Sequence, residues 1–307
     1  MPQKDEMSRF QARIVSGQPA LIAEVCPPQT GDPDVMRAVA RRFAGNVHAL
    51  GVCDNRREVQ MSALAAATLV AGEGVDPILH LTTRDRNRIA LASDGLGASA
   101  LGIRDVLCTS GTHQTLGRFR SARNVHDIDS VQLIQMYSNL SEDGALFGEV
   151  GLKGLRPFFV GGVATPFADP MEMQVSRLAK KVRAGAKFLV TQPVFDLDRF
   201  GTWWQEVTRR GLHETVAILA GVRVLTSLDE ASAYAQCRPS ARVPEALLKR
   251  LSAKTGPDEQ RRVGIQIATE TVGRLRVMAG LRGFDISADG DATVALAVIE
   301  AAGLRAD

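Results

Sequence analysis

Apolar residues recur in short runs along the chain, separated by longer stretches in which apolar and polar positions alternate with helical spacing. The runs that read as strands are 21–26 (LIAEVC), 47–54, 76–83, 105–111, 157–164, 187–195, 215–222 and 283–289. Each is apolar almost throughout, the pattern of a parallel strand buried on both faces by flanking helices. Between them, 33–45, 58–74, 169–186 and 292–304 read as helices, several opened by Asp or Pro and several closed by Gly. Two further helical stretches, within 239–281, precede the last strand and read as decoration. The segment 141–151 (SEDGALFGEVG) reads as an ordinary surface connection.

Eight strand-helix alternations in 307 residues suit one (β/α)8 barrel, a TIM barrel with extra helices before the last strand, occupying 1–307 as a single domain. An open doubly wound sheet has the same periodicity, but it gathers its polar groups at one switch point. Here Glu24, Asp54, His80, Thr82, Ser110, Gln192 and Asp289 fall at the ends of successive strands, where a barrel builds its site. No GxGxxG follows the first strand, which argues against a dinucleotide Rossmann domain.

Composition narrows the function classes. The 37 basic and 34 acidic residues are interspersed and aromatics are 5%, so no basic stretch or stacking platform for nucleic acid stands out. Cys26, Cys53, Cys108 and Cys237 form no CxxC pair and lie near no His cluster, so no metal site is expected. A polar start without an apolar core, and no run of membrane length, make a cytoplasmic protein without a membrane partner the expectation.

The candidate chemistry lies at the strand ends. Glu24, in EVCPP, is flanked by apolar residues, and burial would raise its pKa toward that of a general acid; pairing with an arginine across the barrel mouth is the competing reading. Pro27 and Pro28 fix the chain direction after it. HLTTRDRNR (80–88) offers His80 and Thr82 to a heteroaromatic ligand, while Arg84, Arg86 and Arg88 are expected mainly in solvent. Arg177, Lys180 and Lys181 share a helix face that can take a pyrophosphate or simply be exposed. Gly111 lets the backbone approach a ring, His113 is a loop histidine, and Gln192 carries both a donor and an acceptor.

Taken in order, EVCPP, HLTTRDRNR, the Gly of TSGT, KKVRAGAKF and TQPVFD resemble the methylenetetrahydrofolate reductase family over nearly the whole chain. The likeness is greatest to the short bacterial form, in the branch with VCDN at 52–55. VHDIDS at 125–130 adds to it. The resemblance implies a flavoprotein, with FAD or alternatively FMN, that moves a hydride between reduced flavin and the one-carbon unit of 5,10-methylenetetrahydrofolate, giving 5-methyltetrahydrofolate, or runs the reverse oxidation. It implies Glu24 as the acid that opens the folate ring, and Gln192 and Thr112 as folate contacts. For the flavin it implies Cys53, His80, Thr82, Ser110, Gly111, Thr112, Gly162, Gln174, Arg177, Lys180 and Lys181. Electrons would come from NAD(P)H or an electron-transfer partner subunit, and an oligomer is expected.

Two departures stand out. Cys53 and Asp54 occupy positions where many members carry Thr and Tyr. The family commonly has Gly-Asp after the fourth strand, whereas this chain has Gly111-Thr112; losing that carboxylate is expected to raise the flavin potential and weaken a contact to the pterin. A non-catalytic flavin- or folate-binding barrel subunit of a methyl-transfer or electron-transfer complex is therefore the second reading. A cofactor-free aldolase or methyltransferase barrel would call for a strand-end Lys or a metal cluster.

Overall fold

The computed structural model describes residues 7–56, 58–142, 144–146, 149–150 and 152–306. All eight expected strands form: β1 (Ala20–Val25), β2 (Ala49–Val52), β3 (Pro77–Thr82), β4 (Asp105–Thr109), β5 (Phe159–Ala164), β6 (Phe188–Pro193), β7 (Ala217–Arg223) and β8 (Gly283–Ser287). They close into a parallel barrel in the order β1-β8-β7-β6-β5-β4-β3-β2. The open-sheet alternative is thereby excluded. Side chains alternate along each strand, so Leu21, Ala23 and Val25 face the helices while Ala20, Ile22 and Glu24 face the axis.

The helices are α1 (Arg9–Val15), α2 (Pro33–Phe43), α3 (Ala63–Gly72), α4 (Arg88–Ala100), α5 (Ser130–Glu142), α6 (Met171–Arg183), α7 (Leu197–Arg209), α8 (Leu212–Thr215), α9 (Leu228–Cys237), α10 (Glu245–Ser252), α11 (Pro257–Arg276) and α12 (Ala292–Ala301). Local chemistry starts several of them: the carboxylates of Asp32, Asp196 and Asp291 and the amide oxygen of Asn87 accept from first-turn N–H groups. Helix α3 starts five residues later than the expected 58, because residues before it form a turn in which Gln60 N donates to Asn55 Oδ1 at 3.0 Å. That turn carries Arg56 to the barrel mouth. Segment 141–151 also differs from expectation: Ala145–Leu146 and Glu149–Val150 pair antiparallel, a small hairpin rather than an irregular connection.

The N-terminal end of the barrel is shut. Helix α1 lies across it, and Phe10 packs edge-on against Phe188 (4.9 Å) and Phe159 (5.8 Å), which stack on each other at 5.4 Å. Gly161 makes room for this floor, since a Cβ there would come within 2.3 Å of the Phe188 ring. With this end filled, ligands have access only to the C-terminal mouth, the end at which this fold keeps its sites. Among the described residues, no helix is long and apolar enough to cross a membrane.

Candidate active site

At the C-terminal mouth lies a cavity of about 410 Å³, within the usual range for small-molecule sites. Of the seven polar strand-end residues, Glu24, Asp54, His80, Thr82, Ser110 and Gln192 line it. Asp289 stands outside the lining, tied to Arg223 by two hydrogen bonds. Cys53, Gly111, Thr112, Gln174, Arg177 and Lys181 also line it. Gly162 and Lys180 do not, which corrects their assignment as cofactor contacts. Gly162 faces outward, where a Cβ would meet Ile134 at 2.9 Å, and Lys180 is exposed outside the lining.

Glu24 sits at the end of β1, level with Ser287 of β8 and Gly51 of β2. One of its oxygens accepts from Arg56 and the other lies 3.8 Å from His80 Nδ1. Burial by itself would raise its pKa, but Arg56, then His80 and Arg238, overcome that and hold the carboxyl below its ordinary range. The expected raised acid is therefore a carboxylate in the open site, and the arginine that pairs with it comes from the adjacent β2 loop rather than from across the mouth. Burial also pushes His80 down to about 4, aided by Arg56 and opposed by Glu24, so the imidazole is neutral at physiological pH.

The neutral acid is a different residue. Asp285 of β8 pairs in register with Ile22, one inward position below Glu24. It lines the cavity floor, is buried, and one carboxyl oxygen has no hydrogen-bond partner. Burial, reinforced by Glu24 and only partly offset by Arg56, pushes its pKa well above the carboxylate range. Across the cavity, the Gln192 amide oxygen is likewise unpartnered. Both await an N–H or O–H donor.

Of the three arginines of 80–88, expected mainly in solvent, Arg84 and Arg86 instead build the rim, and Arg88 is exposed as expected. Buried Arg84 donates to Thr112 O (2.9 Å), Asn55 O (2.7 Å) and the Asp85 carboxylate, tying three loops together. Arg86 binds Asp54 (2.5 Å) and Asp94 (2.8 Å), and Asp54 in turn accepts from Thr82 N at 2.9 Å. Arg88 pairs with Asp127. Gly111 (φ +78°) turns against this framework, where a Cβ would lie 2.4 Å from Thr82 Cγ2.

The cationic stripe on α6 divides. Lys181 is buried and donates to Val163 O at 2.5 Å, and burial with the Arg177 charge lowers its pKa to about 8. Arg177 is exposed at the cavity edge. His113 is exposed, and its ring bonds the nearby Thr115.

Arg56, Arg223, Tyr234, Arg238 and Asp285 were not singled out from the sequence. The decoration before the last strand has its own apolar cluster around Leu225, Tyr234 and Leu251. Helix α9 brings Tyr234 over the mouth, sandwiched by Arg223 (4.7 Å) and Arg238 (5.6 Å). Arg238 also donates to Thr112 Oγ1 at 3.2 Å, so a hydroxyl at 112 is used as an acceptor. The one available signal was inward alternation along GFDIS, which places Asp285 on the axis.

Glu24, Cys53 and His80 bring donor atoms within 4.8 Å of one another, a grouping that Cys and His spacing alone did not suggest. Glu24 is already engaged by Arg56, whose positive charge would oppose a dication beside it.

A closed parallel barrel with Glu24 and Asp285 lining a cavity at its C-terminal mouth defines the class: a TIM-barrel protein. The chain belongs to the methylenetetrahydrofolate reductase family, whose model matches residues 9–303. A probable methylenetetrahydrofolate reductase (NADPH) from Caenorhabditis elegans is 22% identical over 277 residues, covering 87% of this chain. The chain spans 40% of that relative's length. Among solved structures, a Clostridium thermocellum protein that binds two copies of 5-methyl-5,6,7,8-tetrahydrofolic acid has the same fold, with a TM-score of 0.66 at 12% identity, over 95% of this chain and 99% of that one. The EDTA monooxygenase of Chelativorans sp. BNC1 aligns more loosely, with a TM-score of 0.53 at 10% identity, over 94% of this chain and 99% of that one.

Proposed function

We propose that the chain is a flavin-dependent 5,10-methylenetetrahydrofolate reductase, forming 5-methyltetrahydrofolate or running the reverse oxidation, and that Glu24 and Asp285 together manage the proton of that reaction. The observation that carries this reading is the unpartnered, buried Asp285 carboxyl beneath the ion-paired Glu24, in the mouth of a barrel of this family. Asp285 holds the proton in the open site. The Glu24 carboxylate, in contact with the cavity, stabilises the cationic iminium that forms when the folate five-membered ring opens, and relays the proton to the departing nitrogen. The unpartnered Gln192 oxygen accepts from the pterin edge. Folate's glutamate carboxylates suit Arg238, which lines the cavity and, like Arg177, is in no ion pair among the described residues.

Flavin, when bound, supplies the hydride chemistry that these side chains lack. His80, Thr82, Cys53 and the Ser110–Thr112 turn on one wall, with Gln174, Arg177 and Lys181 on another, are the groups that would hold it. The unpaired Arg177 at the cavity edge favours FAD, with its second phosphate, over FMN. NAD(P)H or a partner subunit delivers the electrons.

The test is turnover of methyltetrahydrofolate with an artificial electron acceptor, alongside mass identification of the cofactor released on denaturation. Glu24→Gln and Asp285→Asn should each lower turnover by about 10²–10⁴ with the cofactor retained. Unchanged turnover in both variants, or purified protein devoid of flavin, would refute the reading. Yellow protein that is inert with every donor would favour the non-catalytic subunit instead.

A further inference from the structure

Two thiols meet at the rim, one of them Cys53 on the wall that would hold the flavin. In the β1–β2 pairing Val25 stands opposite Val52, and Cys53 N donates to Val25 O at 2.9 Å. The next pair in this register is Cys26 and Cys53. Inward positions are even on β1 (Ile22, Glu24) and odd on β2 (Ala49), so alternation turns both sulfurs toward the axis. The register therefore sets the two thiols side by side. Neighbouring strands run about 4.8 Å apart, inside the Cα separation that a disulfide spans, roughly 4.4–6.8 Å.

The pair is asymmetric in a way that fits exchange chemistry. Cys53 is 2% exposed, whereas Cys26 is partly open to solvent. Arg56 faces both sulfurs, and Glu24 and Asp289 oppose it. The hydrogen bond from Cys53 lowers Cys26 to about 7 against the pull of burial, while that same bond and burial raise Cys53. One accessible thiolate beside one protonated, buried thiol is the arrangement of an attacking and a resolving cysteine.

We infer that Cys26 and Cys53 form a redox-active dithiol at the cavity rim, which closes to an intramolecular disulfide by exchange with small organic disulfides. Cys26 thiolate attacks one sulfur of the organic disulfide, giving a mixed disulfide on Cys26 and expelling one thiolate. Cys53 then gives up its proton and attacks the Cys26 sulfur, closing the protein disulfide and expelling the second thiolate. The protein loses two electrons and two protons, and the organic disulfide is reduced to two thiols.

The exchange chemistry needs only the two thiols, so it can be tested on protein freed of any bound cofactor. Purified full-length protein is incubated with oxidised glutathione, and its thiols are mapped by mass spectrometry. The expected product carries a Cys26–Cys53 link and no retained glutathione, and dithiothreitol reverses it. Cys53→Ser should stop at one glutathione on Cys26, and Cys26→Ser should give no link, with circular dichroism confirming that both variants fold. Alkylation of Cys26 by iodoacetamide at pH 7 should run roughly five-fold faster than that of an ordinary thiol, because the gain in thiolate outweighs its lower nucleophilicity. A persistent mixed disulfide in the wild type, a link to any other cysteine, or alkylation no faster than in the unfolded chain would overturn the inference.

Discussion

Charge placement residue by residue decides what this site can do. Glu24 and Asp285 are both inward-facing acids of adjacent strands, yet the Arg56 ion pair holds Glu24 below the ordinary carboxylate range while burial, reinforced by Glu24, pushes Asp285 well above it. A third buried acid lies at the opposite end of the barrel. Asp105 is 1% exposed, and burial, only partly offset by Ser8, raises its pKa from 3.8 to about 7. The folded state therefore favours protonated Asp105. That advantage is complete below pH 3.8, the ordinary value, and is lost as pH rises through about 7. Asp105→Asn, neutral at every pH, should gain up to about 4 kcal/mol relative to wild type between pH 4 and pH 8. Urea midpoints at those two pH values check it, and parallel pH profiles for the two proteins would show that Asp105 is not the group responsible. None of the three acids could be assigned a protonation state from sequence, because the state depends on an arginine or a void brought there by another strand.

At the level of elements, the closed end of the barrel is held by α1 rather than by the strands themselves. Phe10 is fully buried between Phe159 and Phe188, and Arg282 of the β8 approach donates to Ile14 O at 2.9 Å. Phe10→Ala should cost about 3–5 kcal/mol, read as a lowered chemical-denaturation midpoint. Gly161→Ala should cost about 1–3 kcal/mol by forcing the Phe188 ring aside, and combining it with Phe188→Leu should recover part of the loss. If Gly161→Ala alone leaves the midpoint unmoved, the floor is looser than described. The strands were legible because buried parallel strands carry a near-continuous apolar signal. The hairpin at Ala145–Val150 and the late start of α3 were not, because two-residue strands and a turn stabilised by Asn55 and Gln60 leave no periodicity to read.

For the whole molecule, closure of eight strands makes one continuous framework, with an outer helix-facing core and an inner core on the axis. We expect 1–307 to unfold as one unit, with equal calorimetric and van't Hoff enthalpies; two resolved transitions would instead separate the α9–α11 cluster from the barrel. The chain's own residues determined the strand and helix succession, the barrel class and the family motifs, because alternation, capping and apolar runs are local properties. They also marked most of the rim, since a strand end is a local position too. Only the tertiary structure decided that Arg84 and Arg86 are rim struts rather than solvated charges, that Lys180 and Gly162 lie outside the cavity lining, that Asp285 rather than Glu24 has its pKa raised, and that Cys26 meets Cys53. Those outcomes depend on which residues barrel closure brings within a few ångströms, and on the field and desolvation that result, neither of which is written in the spacing of residues along one strand.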